Sequence, residues 1–295
     1  MLISFGECAL LQCSTAPRSA PPRGPTVNPR RATLHPLAPP APPGRHPLAA
    51  AALAATLLAG SATAAELPKG NCIAPAAGHD LSGCDFSGRD LSGLDLSDAQ
   101  FDNARFVGTR LNRTRLTRAT ARWANFSGAE LRSAELGSAD LFHAIFDGAD
   151  LSAANLRKAN LFGANLIGTR APEADFSGAF LKDVLMPETD LRGARFVGCN
   201  ALRAVMTDAA MAGADLSEAN FTGADGEGAD FTGATLVNTR LGGASLRTAN
   251  FSRAELSGAD FTHASLRQSD FSGARNVPAL VAELLITPHL GLQRE

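Results

Sequence analysis

From residue 81 to residue 271 a large apolar side chain returns at every fifth position. Reading at five-residue steps gives 39 positions in one unbroken phase, of which 20 are Leu and 12 are Phe. The exceptions are Met186, Met206, Met211, Ala121, Ala171, Ala201 and Gly226. Two residues before these central positions the side chain is in most cases small, Ala in 27 of 39. Asp and Asn are common in between. An α-helix turns about 100° per residue, so a five-residue step would scatter the Leu/Phe set around the whole cylinder. A strand alternates faces with period two and would point successive members to opposite sides. Neither element can bury the set against one core. The backbone must turn once per pentapeptide, and the Gly, Asn, Asp, Ser and Thr between the apolar positions suit such turns. Four short sides close a 20-residue coil, and stacked coils hydrogen-bond along the axis at about 4.8 Å.

Blocks such as Ala149-Asp150-Leu151-Ser152-Ala153 and Ala229-Asp230-Phe231-Thr232-Gly233 resemble the pentapeptide-repeat family, whose motif is A-(D/N)-L-x-x. The resemblance implies an all-β fold, a right-handed quadrilateral β-helix. Handedness comes from the resemblance, since periodicity is silent on it. The 39 centres would make about ten coils, a rod roughly 45–50 Å long. One interior column reads Phe86, Phe106, Phe126, Phe146, Leu166, Met186, Met206, Gly226, Leu246, Leu266. Gly226 contributes no side chain, so an under-packed coil is expected there, one that Leu in its place would stabilise.

Residues 1–47 are rich in Pro, Ala and Arg and lack apolar periodicity, so they can bury no core. Residues 48–60 form an apolar run after Arg45 and His46, and Ala62-Thr63-Ala64 sets small residues at −3 and −1. This is the anatomy of a secretory signal peptide with cleavage near Ala64 or Ala65; a retained anchor and a plain Ala-rich helix are the other readings. The run is short for a membrane span. The long leader points to a translation start downstream of Met1, at Val27 or Leu34, and Arg30-Arg31 is a weak match to a twin-arginine signal. The expected address is periplasmic or secreted, from a bacterium. The expected domains are the leader 1–65, a lead-in 66–80, the β-helix 81–275 and a C-terminal cap 276–295. In the cap, Pro278 followed by Leu280, Val281, Leu284 and Leu285 predicts a short amphipathic helix ending near Pro288.

Cys8 and Cys13 fall in the leader. Cys72 and Cys84 bracket the entry to the first coil, where export would favour a disulfide; two buried thiols are the alternative. Cys199 takes a small inward slot as an inert thiol. On the outside, 20-residue steps align opposite charges, as in Asp90, Arg110, Glu130, Asp150, Arg170 and Asp190, a device for holding register. Six arginines from Arg105 to Arg122 precede Trp123 and raise a polyanion site, but the coil spreads them over several faces. Trp123, Phe142, His143 and Phe162 fall in two neighbouring outward columns and form a candidate contact patch for a protein partner or a second copy; scattered exposed apolar residues are the alternative. The segment 171–211, with Pro172 and Pro187, reads as a bend or a covered face.

No chemistry of catalysis is legible. His79, His143 and His263 are dispersed, and no zinc spacing, Ser/His/Asp set or phosphate loop occurs. The expectation is therefore no catalytic residue, no metal and no cofactor. The expected function is a non-catalytic exported solenoid that presents a rigid surface to a partner, with no nucleic acid bound and no membrane span in the mature chain. The resemblance offers an alternative, because some members protect DNA gyrase from fluoroquinolones by imitating duplex DNA. That needs a strongly acidic rod, and residues 79–275 carry 25 Asp/Glu against 20 Lys/Arg, a net of −5.

Overall fold

The computed structural model describes residues 66–286, with side chains through residue 283. The leader with its cleavage site near Ala64 or Ala65, Cys8, Cys13 and Pro288 lie outside the described residues.

Every pentad bends in the same way. The bulky residue opens a four-residue turn, closed by the N–H of the small residue three places on; Cys84 N donates to Leu81 O at 3.1 Å. The third turn residue has φ between 53° and 71° in all 39 pentads from 81 to 275, as a type II turn requires. Glycine fills 18 of these left-handed positions, and the other 21 hold residues as large as Arg118, His143 and Trp123.

The residue between the small and the bulky one carries the pairing. Parallel bridges join it to the residue 20 places on without a slip, from Asp80↔Gln100 to Glu255↔Arg275. Ladder bonds then run along the axis, such as Leu81 N to Gln100 O at 2.7 Å and Arg105 N to Cys84 O at 2.9 Å. One circuit thus takes 20 residues and four turns. The same position explains the Asp and Asn content. The N–H of the second turn residue has no ladder partner, and the Asx side chain two places earlier accepts it, as in Ser87 N to Asp85 Oδ1 and Ser127 N to Asn125 Oδ1, both 2.9 Å. Arg170 and Leu185 offer no such acceptor, and two residues after them stand Pro172 and Pro187, which have no N–H to satisfy. The bridges run through 171–211 without interruption. The prolines occupy the second turn position, where their fixed φ belongs, so this segment continues the register.

The bulky residues fill the interior. Phe86, Phe106, Phe126 and Phe146 stack with ring centres 5.0, 4.6 and 4.8 Å apart, a geometry worth about 0.5–1.5 kcal/mol per pair beyond area burial. Where Thr replaces Ala in the small slot, its buried hydroxyl donates to the carbonyl of a bulky residue 23 places earlier, as Thr109 does to Phe86 at 2.8 Å. The under-packed coil expected at Gly226 is absent. A Cβ placed there would lie 3.1 Å from both Met206 Cε and Leu246 Cδ2, because the flexible neighbours above and below already lean into the space.

Both ends carry a closing segment. On the first circuit, Gly70 N donates to Asp80 O and Asp80 N to Pro68 O, each at 2.9 Å. Cys72 and Cys84 are joined as a disulfide, Cα to Cα 5.6 Å. At the other end α1 (Ala279–Ile286) follows Pro278, and its Val281 is fully buried in the core cluster. Leu280 on the same helix is half exposed. The amides of Phe261, Leu266 and Phe271 face this end and make no backbone bond among the described residues.

Two glycines separate the conformational from the steric constraint. Gly213 has φ 68° and open space around it, so Gly213→Ala should lower stability by about 1 kcal/mol through backbone strain alone. Gly226 has no positive φ but tight neighbours, so Gly226→Leu should destabilise by about 1–3 kcal/mol by overpacking. Urea midpoints measure both, and a rise for Gly226→Leu would contradict the packing described.

Acid should loosen the rod. Hydrogen bonds from Lys69 and then Ser82 hold the Asp80 carboxyl down at about 2, and bonds from Ser87 and Ser92 hold Asp85 and Asp90 below the usual carboxylate range. Folded values below the unfolded value of about 3.9 mean that this stabilisation is complete above pH ~4 and is lost as pH falls toward 2. Asp147 has the opposite sign: burial raises it, and its Oδ1 has no partner. Asp147→Asn should raise the urea midpoint at pH 7 and bring little gain at pH 3.

Candidate interaction surface

Each pentad exposes the residue before the bulky one and the two turn residues at the corner. The 20-residue register sets Phe142 and Phe162 at the second turn position of one corner on successive circuits, and Trp123 and His143 at the third. The four rings meet there. Phe142 stacks on Phe162 at 5.4 Å, Trp123 stacks on His143 at 4.2 Å, and Phe142 meets the edge of His143 at 4.4 Å. Trp123 is 55 % exposed, and the other three rings are half-buried.

Backbone and neighbours both accommodate this cluster. Trp123 and His143 hold φ of 59° and 53°, a region that costs an L-residue roughly 1–2 kcal/mol. Gly163 continues their column, and a Cβ on it would stand 2.4 Å from His143 Cε1. The imidazole therefore lies over bare backbone, and no other residue would leave it that room. Phe180 extends the Phe142–Phe162 stack at 6.0 Å, and Lys182 Nζ stands 5.7 Å from the Phe162 ring centre. Lys182 continues the column of Phe142 and Phe162, whereas Phe180 stands outside it, at the position before a bulky residue. Its signal was its replacement of the usual Asp or Asn. On the face beyond the corner, Ile145 and Leu185 replace Asx in the same way, and Leu185 is 40 % exposed.

The rim is polar and internally paired. Arg122 Nε bonds Asp140 at 2.6 Å, and Arg203 makes a two-pronged pair with Asp183 at 2.7 Å. Such a ridge can bind by desolvating ring area. The wider arginine cluster is also matched: Arg105, Arg110, Arg115 and Arg118 pair with Asp85, Asp90, Asp95 and Asp98. The long charge column holds its register but not all its pairs. Asp150 turns to Arg132 at 2.7 Å, a diagonal neighbour, while Glu130 accepts from Asn112. Arg113 lines a shallow polar depression with Ser92, Asn112 and Arg132.

Among the described residues, no group of His, Cys, Asp and Glu could hold a metal ion, and no helix is long and apolar enough to cross a membrane. His79, His143 and His263 stand on separate circuits. Cys199 is buried, and burial pushes its thiol well above the usual range.

Comparison with known proteins places this geometry. The family model for pentapeptide repeats matches in 8 copies over stretches that run from residue 80 to residue 273. Sequence comparison with curated proteins finds no match. Among solved structures, the chain is similar to HetL, a pentapeptide repeat protein involved in heterocyst differentiation regulation in the cyanobacterium Nostoc sp. strain PCC 7120. The two are 27 % identical with a TM-score of 0.64, over 72 % of this chain and 91 % of HetL. QnrB1, a plasmid-mediated fluoroquinolone resistance protein, is 21 % identical with a TM-score of 0.43, over 72 % of this chain and 94 % of its own. A pentapeptide repeat protein of the Arabidopsis thaliana thylakoid lumen is 30 % identical over 42 % of this chain and 76 % of its own, with a TM-score of 0.26. With the repeat model matching well over half of its length, the chain belongs to the pentapeptide-repeat family, and its coil is a right-handed β-helix.

Proposed function

We propose that the protein is a non-catalytic, exported solenoid, quadrilateral in section and about ten circuits long, which uses its aromatic corner as a contact surface for a protein partner or a second copy. Four turns per 20-residue circuit support the square section. The observation that carries the function is the stack of Trp123, Phe142, His143 and Phe162, two of whose rings stand on left-handed backbone. Contiguous apolar area with a polar rim is the composition of contact surfaces. Export is supported by the signal-like segment before Ala64 and by the Cys72–Cys84 disulfide, a bond that persists in oxidising compartments. Imitation of duplex DNA for an enzyme such as gyrase is the less favoured reading, because the rod's arginines interrupt and pair its carboxylates.

Replacing Phe142 and Phe162 together by Asp should leave the fold intact by circular dichroism and weaken partner binding or self-association about 100-fold or more. Unchanged sedimentation together with an unchanged set of proteins captured from the periplasmic fraction would sink the reading. N-terminal sequencing of the protein from its producing cell tests the address. A periplasmic chain that begins near Ala65 or Glu66 is expected, and an unprocessed cytoplasmic chain would overturn it.

A further inference from the structure

The N-terminal lead-in is held on the first circuit by three ties of different chemistry. Lys69 pairs with the Asp80 carboxylate, while the adjoining Gly70 N–H donates to Asp80 O at 2.9 Å. Cys72 is bonded to Cys84. Arg89 occupies a slot that holds Ala in most pentads, and donates from Nη2 to Ile73 O at 2.7 Å and from Nη1 to Cys72 O. Its guanidinium lies 5.4 Å from the Phe86 ring centre. Gly70 lies so near Leu81 that a Cβ would meet Leu81 Cδ2 at 2.5 Å. The lead-in thereby covers the end of the interior column, yet it buries little of its own: residues 71–74 are exposed and Ile73 is 82 % exposed. A segment with so few apolar contacts depends on its ties to stay closed; the Lys69–Asp80 ion pair is on the surface, where such pairs are weak, and the Arg89 hydrogen bonds to the two carbonyls are at the surface as well.

We infer that the Cys72–Cys84 disulfide is a redox latch: a dithiol reductant releases the lead-in from the first circuit and leaves the remaining coil folded. Cys72 is exposed and Cys84 buried, so the reductant's thiolate attacks Cys72 Sγ. The Sγ–Sγ bond breaks, and Cys84 leaves as a thiolate that takes a proton from water. The second thiol of the reductant, as thiolate, then attacks the mixed disulfide and releases Cys72, so that two electrons pass to the protein and the reductant ends as a disulfide. Cys84 occupies the same small inward slot as Cys199, which holds a free thiol in this fold, so reduction creates no misfit within the coil. Later circuits pair with one another through their own ladder bonds and do not need the lead-in. Release uncovers Leu81 and Phe86, which are 1 % and 0 % exposed in the closed form.

Hydrogen–deuterium exchange of the full chain with and without dithiothreitol tests the latch. The amides of Gly70 and Asp80, which bond across the contact between lead-in and first circuit, should exchange about 100-fold faster after reduction, the order expected when a short disulfide loop is opened, while residues 101–255 keep their protection and reoxidation restores the start. Cys72→Ser should exchange like the reduced protein and ignore the reductant. Unchanged exchange at Gly70 and Asp80 on reduction would overturn the proposal, since Arg89 and Lys69 would then suffice. Faster exchange along the whole rod would overturn it too, because the bond would then stabilise the fold at large.

Discussion

A chain that must bring one bulky side chain to a common axis at every fifth residue has to turn at every fifth residue, and each turn needs one residue in the left-handed region. That requirement holds in all 39 pentads and is met by glycine in fewer than half. Elsewhere an L-residue carries the strain, so the turns cannot be what stabilises the coil. The ladder along the axis and the packed columns supply the stabilisation, and both repeat with the same 20-residue step. A slip of register would forfeit both at once.

Within the pentad each position has its own physical task. The bulky residue fills the bore, and the small one lets the backbone close on it. The residue between them pairs along the axis with its backbone and, when it is Asp or Asn, also caps the next turn with its side chain. This double use explains why hydrogen bonds from Ser87 and Ser92 are the largest cause of the lowered Asp85 and Asp90 carboxyls, ahead of the arginines beside them. The carboxylates are parts of the turn first and members of charge columns second.

What was legible in the sequence was whatever the period determines. The interior set, the 20-residue register, the small slot and the outward columns of Trp123, Phe142, His143 and Phe162 all follow from counting. What was not legible depends on how side chains reach between circuits. Gly226 lacks a side chain, but Met206 and Leu246 close over it. Arg132 reaches diagonally to Asp150, where the column alone would pair Asp150 with a neighbour 20 residues away. The prolines of 171–211 resemble disruptions until the orphan N–H at the second turn position is recognised; Pro172 and Pro187 then fit where no Asx residue precedes them. Arg89 breaks the small-residue rule because its partners, the carbonyls of Cys72 and Ile73, come from outside the repeat.

A neutral repeat would keep glycine or a short polar residue at the left-handed position and Asx before each bulky residue. Three kinds of departure converge on one corner: aromatic rings at positive φ (Trp123, His143), Phe at the freely variable second turn position on consecutive circuits (Phe142, Phe162), and apolar residues in place of Asx on the flanking faces (Phe180 on one, Ile145 and Leu185 on the other). The replacement at Phe180 also leaves the N–H of Lys182 without the side-chain acceptor that most circuits provide. The mutual stacking of rings at 4.2–6.0 Å returns part of that cost, but it leaves Trp123 more than half exposed. The stacking thus leaves ring area on this corner exposed, and that area is what the proposed contact surface would bury.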